Sequence, residues 1–311
     1  MKKILLVLII IIVAAIALIY ALIPPTIIVS KIAYTNNKSA TVLRCLHDDT
    51  KWSEWFPKNK TKGTELIYNN RQYKLGERGY SSVEVALQNS KTTYTSTINV
   101  LPYNVDSSAI QWQLQLNPGN NPFKRFEQYQ TAKSIKNDMS VLLDSFKIFI
   151  SNTKNIYDFS IKFTTLTDTA LVSTKTTTMQ YPSTHFIYAM VDKLKQYISQ
   201  QHANEHNFPM LNITKQLDSS YEVMVGVPTN ILLPGNNFIE PKRMIMMKNK
   251  TLITEVTGDT SEIRKAFEAT SNFMDDYGLR TPVIPFQQLV TDRRKEKDST
   301  KWITKIFTPI I

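Results

Sequence analysis

Residues 4–23, ILLVLIIIIVAAIALIYALI, contain no charged side chain. About twenty residues at ~1.5 Å rise cover about 30 Å, the thickness of a bilayer's hydrocarbon core. In lipid such a run has one stable form, a helix that satisfies its own backbone. Pro24 and Pro25 end it, since proline offers no N–H and constrains its predecessor. Lys2 and Lys3 lead the run and only Lys31 follows closely. The positive-inside rule then places the N-terminus in the cytoplasm. The expectation is a single-pass membrane protein, anchored by residues 1–25, with its soluble domains on the extracytoplasmic side. A cleaved signal peptide is the rival, with Ala15-Ile16-Ala17 as the cleavage site. The apolar run continues through Ile23, beyond the usual signal core. No later stretch is long and apolar enough to span again.

The remainder is ordinary globular material, 42% hydrophobic and 20% charged over a chain of 311 residues, enough for two domains. The net charge of +11 comes from scattered lysines. Its densest run, Arg293-Arg294-Lys295 with Lys297, is interrupted by Glu296. Nucleic-acid binding needs basic residues gathered on one face with stacking aromatics, so no nucleic-acid partner is expected. Scattered lysines suit a weak attraction to anionic lipid heads. The single cysteine, Cys45, excludes an internal disulfide, and its spacing from His47 puts the two on nearly opposite sides of a helix. Asn-x-Ser/Thr triplets begin at Asn37, Asn59, Asn212 and Asn249. They matter only in a host that glycosylates secreted chains.

Over residues 27–153 the pattern is α+β. TIIVSKIAYT reads as a strand and ATVLRCLHD as a helix, followed by WSEWFP. Three alternating runs follow; AIQWQLQL sets Ile110, Trp112, Leu114 and Leu116 against three glutamines. Such runs are antiparallel strands with one wet face. A long helix over residues 122–150 closes the region, with Phe123, Phe126, Tyr129, Ile135, Met139 and Phe146 on one apolar stripe. This element order, with Trp52, Trp55 and Pro57 after the first helix, resembles the START-like SRPBCC superfamily of polyketide cyclase/dehydrase-like domains. The resemblance implies a helix-grip fold, a curved antiparallel sheet wrapped on its long C-terminal helix around an apolar cavity. Trp112, Tyr94 and Phe146 either line that cavity or fill it as core.

Residues 154–311 write one unit twice. YDFSIKFTTLTDTALVSTKTTTM, STHFIYAMVDKLKQYISQQ, FPMLNITKQL and SYEVMVGVP run strand, helix, strand, strand. KRMIMMKNKTLITEVTG, TSEIRKAFEATSNFMDDYG, TPVIPFQQLVTD and KWITKIFTPI repeat the order. Tyr221 precedes Pro228 by the same number of positions as Trp302 precedes Pro309. Asp259-Thr260-Ser261-Glu262 opens the second helix as a capping-box pattern and Gly278 closes it. Neither half alone can bury its sheet, so the two are expected to pair about a pseudo-twofold axis, with the repeated last strands beside it. PFQQLVTDR and STKWITKIFTPI, with Trp302, Thr304, Ile306 and Pro309, resemble the GyrI-like domain, the effector-binding domain of bacterial transcription activators. The resemblance implies a cleft between the halves that holds amphipathic or cationic molecules. Where family members carry a glutamate and a tyrosine, this chain has Gln287 and Leu289. Gln287 offers no negative charge and no general base, and Glu255 is the nearby acid that could substitute. The candidate ligand-binding residues here are Tyr221, Glu255, Gln287, Leu289 and Trp302.

Other chemistry finds little support. His202 to His206 reads HANEH, but it stands at a polar helix end just before Pro209 without a third ligand, so no metal site is expected. With eight glycines in the chain there is no phosphate-cradling loop, and no cofactor is expected. No helix-turn-helix precedes the second region. The reading is a membrane-anchored, non-catalytic binding protein for small apolar or amphipathic molecules. One alternative is a hydrolase of small reactive compounds using the GyrI-like cleft. A second is a structural or interaction protein whose pockets are filled by side chains.

Overall fold

The computed structural model describes residues 2–57, 66–89, 92–167, 170–244 and 250–311. The triplets at Asn59 and Asn249 lie outside them. The fold is α+β, every strand pairing is antiparallel, and the chain divides into two compact units, Met1–Asn152 and Thr153–Ile311.

The first unit opens with α1 (Lys2–Leu22), whose stretch Lys3–Leu22 is long and apolar enough to cross a membrane. Next come β1 (Ile27–Thr35), α2 (Ser39–His47) and α3 (Asp49–Trp55). Asp48 caps α3, its carboxylate accepting from the Thr50 N–H at 2.9 Å. The strands β2 (Leu66–Tyr68), β3 (Arg71–Arg78), β4 (Ser82–Gln88), β5 (Thr93–Asn104) and β6 (Ser107–Leu116) join β1 in one sheet, ordered β1-β6-β5-β4-β3-β2. The closing helix, α4 (Pro122–Ile150), starts at a proline behind the cap Asn121 and packs on β1 and β6.

Only part of the α4 stripe reaches the core. Ile135, Met139, Leu142 and Phe146 are fully buried, whereas Phe123, Phe126 and Tyr129 at its start are exposed. That first turn meets α1 instead of the sheet: Tyr20 donates to the Asn120 carbonyl, and the Arg125 guanidinium stands 5.0 Å from the Tyr20 ring centre. Between α4 and the sheet the rings run in a chain, Trp52 to Trp55 (4.7 Å), Trp55 to Phe146 (4.9 Å) and to Phe56 (5.6 Å), Phe56 to Tyr73 (5.3 Å) and Tyr73 to Trp112 (6.1 Å). Each such ring contributes roughly 1.5–3 kcal/mol by leaving water.

One polar group interrupts this core. Asp138 on α4 is buried, pairs with Arg71 and accepts from Asn69 at 2.9 Å. The Tyr73 hydroxyl donates to the same carboxylate at 3.4 Å. Burial first, and Asp138 second, push the Tyr73 phenol above its ordinary 10.0.

The second unit runs α5 (Thr153–Tyr157), β7 (Ile161–Thr164), β8 (Ala170–Thr178), α6 (Thr184–Gln200), β9 (Met210–Lys215) and β10 (Tyr221–Pro228). It continues with β11 (Glu240–Arg243), β12 (Thr251–Thr257), α7 (Thr260–Tyr277), β13 (Phe286–Leu289) and β14 (Ile303–Pro309). All eight strands form one sheet, β11-β8-β10-β9-β13-β14-β12-β7. From either end the order is an edge strand, the strand before the helix, the last strand of the repeat, then its third. The strands with the repeated ending, β10 and β14, thus stand one place from the middle, which β9 and β13 occupy. This corrects the expectation that they lie centrally: the third strand comes off the helix inward, and the last folds back between it and the first.

The two long strands read from the sequence are also divided. Residues 157–179 make the last residue of α5, then β7 and β8, and residues 242–258 make the end of β11 and then β12. Strands of globular proteins rarely exceed about ten residues. The pieces go to opposite ends of the sheet: β7 pairs with β12, and β11 pairs with β8. Both helices are capped as their sequences indicate, α6 by Ser183 and α7 by Asp259, which accepts from the Ser261 and Glu262 N–H groups. The Glu262 side chain turns to Lys265 at 2.6 Å, so only half of a capping box forms. Gly278 ends α7 with φ 64°, a left-handed turn suited to glycine.

Asp138→Ala should lower stability by about 3–5 kcal/mol by stranding the buried Arg71 charge, with Asp138→Asn milder, read from urea midpoints of the full chain. The Tyr73 shift has a definite sign. A phenol raised in the folded state contributes stability that is complete below the unfolded value and lost as pH rises past it. The urea midpoint should therefore fall as pH rises above about 10, and Tyr73→Phe should shrink that fall.

Candidate functional site

Strand alternation gives the sheet of the second unit two different faces. Val223, Val225, Val227 and Leu289 form a core with Ile187, Val191 and Leu194 of α6. Val256 and Ile306 form another with Ile263 and Ala266 of α7. Both helices thus cover one face.

The opposite face carries a chamber of about 520 Å³. Its floor is Leu171, Met210, Met224 and Phe286, and Gly226 lies among them. A Cβ on Gly226 would stand 2.9 Å from the Leu171 side chain, so the missing side chain keeps the floor open. Phe286 stacks on Phe307 at 5.2 Å. Pro282, Val283 and Ile284 form one wall and Leu166 and Met244 another. The Asn212 side chain donates to the Pro285 carbonyl at 2.8 Å and ties the first wall to β9. Lys242, Arg243 and Lys250 complete the lining.

The sequence-derived candidates lie elsewhere. In the first unit Trp112 and Phe146 are fully buried, and Trp112 Nε1 donates to Ser96 Oγ at 2.9 Å; Tyr94 is half-buried opposite Leu87. In the second unit Leu289 belongs to the core beneath α6, and Gln287, two positions before it, is buried on the same face. Half-buried Tyr221 packs edge-on against Tyr181 at 5.5 Å. Half-buried Trp302 donates from Nε1 to the Glu296 carbonyl at 2.9 Å, with the Arg293 guanidinium 5.0 Å from its ring. Burial lowers the Arg293 pKa from its ordinary value and raises that of Tyr188, whose hydroxyl accepts from the Arg293 N–H. Glu255 is exposed on the chamber's face but outside its lining, 4.0 Å from Lys305.

The chamber residues escaped the sequence reading, although a signal was present. In β10 Met224 alternates with valines that are themselves buried, and β9 begins with two apolar residues in succession, Met210 and Leu211. A strand apolar on both faces is a strand covered on both. His202 to His206 lies beyond the end of α6, and Glu205 pairs with Lys195 at 2.6 Å. Among the described residues no cluster of His, Cys, Asp and Glu is arranged to hold a metal.

No family model and no curated protein matches this chain. Among solved structures it is similar to the EcmrR C-terminal domain at 13% identity, covering 49% of this chain and 98% of that one, with a TM-score of 0.39. A hydrolase from Listeria innocua is similar at 12% identity over 49% of this chain and 91% of that one, TM-score 0.35. The Zhui aromatase/cyclase from Streptomyces sp. R1128 is similar at 8% identity over 40% of this chain and 94% of that one, TM-score 0.30. At such scores the likeness decides nothing, and the architecture rests on strand order and register.

An exposed ion pair at 4.0 Å contributes little. Glu255→Gln should change the unfolding free energy by less than about 1 kcal/mol in urea titration.

Proposed function

We propose that this protein is a membrane-anchored, non-catalytic binding protein for small apolar or amphipathic molecules, and that the chamber of the second unit is its binding site. The observation that carries the reading is an apolar space of about 520 Å³ with few polar groups, within the ~300–1,000 Å³ typical of small-molecule sites. Residues 4–23 anchor the chain, with the N-terminus cytoplasmic and residues 27–311 on the far side of the membrane. The first unit is a helix-grip domain of START-like SRPBCC type whose interior is occupied by its own aromatic rings. The second is a GyrI-like domain made of two lobes about an approximate twofold axis. Register supports the duplication. Matching Pro228 to Pro309 matches Tyr221 to Trp302 and, through the hairpin pairings, Leu211 to Gln287. Leu211 and Gln287 are also partners of each other, as residues on a twofold axis must be. Likewise Thr178 opposes Tyr221, while the Gly258 N–H donates to the Trp302 carbonyl at 2.9 Å.

The described lining includes no carboxylate, imidazole or thiol. General acid–base or covalent hydrolysis needs one of these, an activated hydroxyl or a desolvated lysine amine, and here Lys242 is paired with Glu240 at 3.4 Å while Lys250 is exposed. The Ser173 hydroxyl in the lining donates to the Glu240 carbonyl at 3.3 Å, and no carboxylate or imidazole of the described lining is there to activate it. Binding without turnover is therefore favoured over the hydrolase reading.

The full chain in lipid nanodiscs, photolabelled with a diazirine derivative of dodecanol, should be modified in peptides containing Met210 or Met224. Excess dodecanol should compete. Gly226→Val narrows the floor at a stability cost of about 1–3 kcal/mol and should abolish that labelling. Labelling spread evenly over exposed surfaces, unchanged in the variant, would overturn the assignment.

A further inference from the structure

The chamber's charged lining is of one sign. Lys242, Arg243 and Lys250 all contribute, and no acidic residue is among the described lining. Register sets one of them on the chamber's face: Lys242 pairs with Leu171 of the floor, whereas Arg243, opposite Ala170 at the end of β11, borders the chamber at its rim. Lys250 is held at the other side by the Ile310 N–H, which donates to its carbonyl at 2.9 Å, next to the Thr251–Pro309 pair. Glu240 stands 3.4 Å from Lys242 and offsets part of one charge, yet its own side chain is not in the lining. Glu255, the nearest acid considered for a cationic ligand, is exposed beside Lys305.

Resting on the binding reading above, we infer that the chamber takes an amphiphile with an anionic head: the chain lies on Met210, Met224 and Phe286, and a carboxylate or phosphate meets Lys242, with Arg243 and Lys250 at the rim. Charge-assisted hydrogen bonds to a partly desolvated anion are the strong kind, and a guanidinium can offer two at once. A cationic amphiphile would meet like charge at the same place.

The test uses the full chain in phosphatidylcholine nanodiscs and the same photolabel at Met210 and Met224, competed by dodecanoate, dodecanol or dodecylamine. Dodecanoate should displace the label at concentrations about tenfold lower than dodecanol, and dodecylamine should be the weakest. The dodecanoate advantage should vanish in Lys242→Ala/Arg243→Ala/Lys250→Ala, and at about 1 M salt, where the screening length is about 3 Å, while dodecanol competition is unchanged. Equal competition by the three compounds, or preference for dodecylamine, would overturn the anion assignment and leave the chamber standing. Absence of any competed label in the chamber would defeat the binding reading itself. Nanodiscs containing phosphatidylglycerol separate the sources of the anion. A dodecanoate advantage that persists there supports a free amphiphile, and one lost only there assigns the same chemistry to a lipid headgroup.

Discussion

The second unit depends on a short joint. Leu211 opposes Gln287 and Met210 opposes Gln288, and through these positions two four-stranded groups become one eight-stranded sheet. Because β9 and β13 meet there, Met210 and Phe286 lie together on one face, and Leu211 and Leu289 lie together on the other. The chamber's floor and the core under α6 are therefore two sides of the same junction. A one-residue slip would exchange the faces and set Gln288 where Leu289 must be. Backbone pairing at the joint is short, so the side chains on its two faces set the register.

Much of this was legible in the residues, and for definite reasons. Helices with one apolar stripe and a capping side chain announce both ends, as α4 does with Asn121-Pro122 and α7 with Asp259 and Gly278. Strands with one wet face, such as β6, announce their alternation. What could not be read were features set by partners distant in sequence. Nothing local in residues 157–179 says that β7 belongs beside β12 while β8 belongs beside β10. The candidate site was harder still. Its lining is drawn from every strand of β8 to β14 and from the segment before β13, and most contribute only one to three ordinary residues. Tyr221 and Trp302 stood out because aromatic rings are conspicuous in a sequence, and they lie on the helix-covered face of the sheet.

The two units treat burial differently. In the first, Trp52, Trp55, Tyr73, Trp112, Phe146 and Met139 occupy the space between sheet and helix, and the buried carboxylate of Asp138 is surrounded by Arg71, Asn69 and Tyr73. An interior this full is stable at the cost of vacancy, since each void of methyl size is destabilising. In the second, Gly226 and the short side chains of Ser173 and Thr251 leave space that larger residues would close. Emptiness maintained by small residues on a rigid sheet suits a guest.

The crossing of the edge strands has a consequence for how the second unit is put together. β7 comes before the first repeat yet borders the second, and β11 comes before the second yet borders the first. Each half thus lends its neighbour an arm, as two people do when they link elbows. Severing the polypeptide in the stretch between β10 and β11 would leave both fragments holding a strand that the other requires. The halves are consequently a single cooperative assembly, and neither can be borrowed alone as a building block.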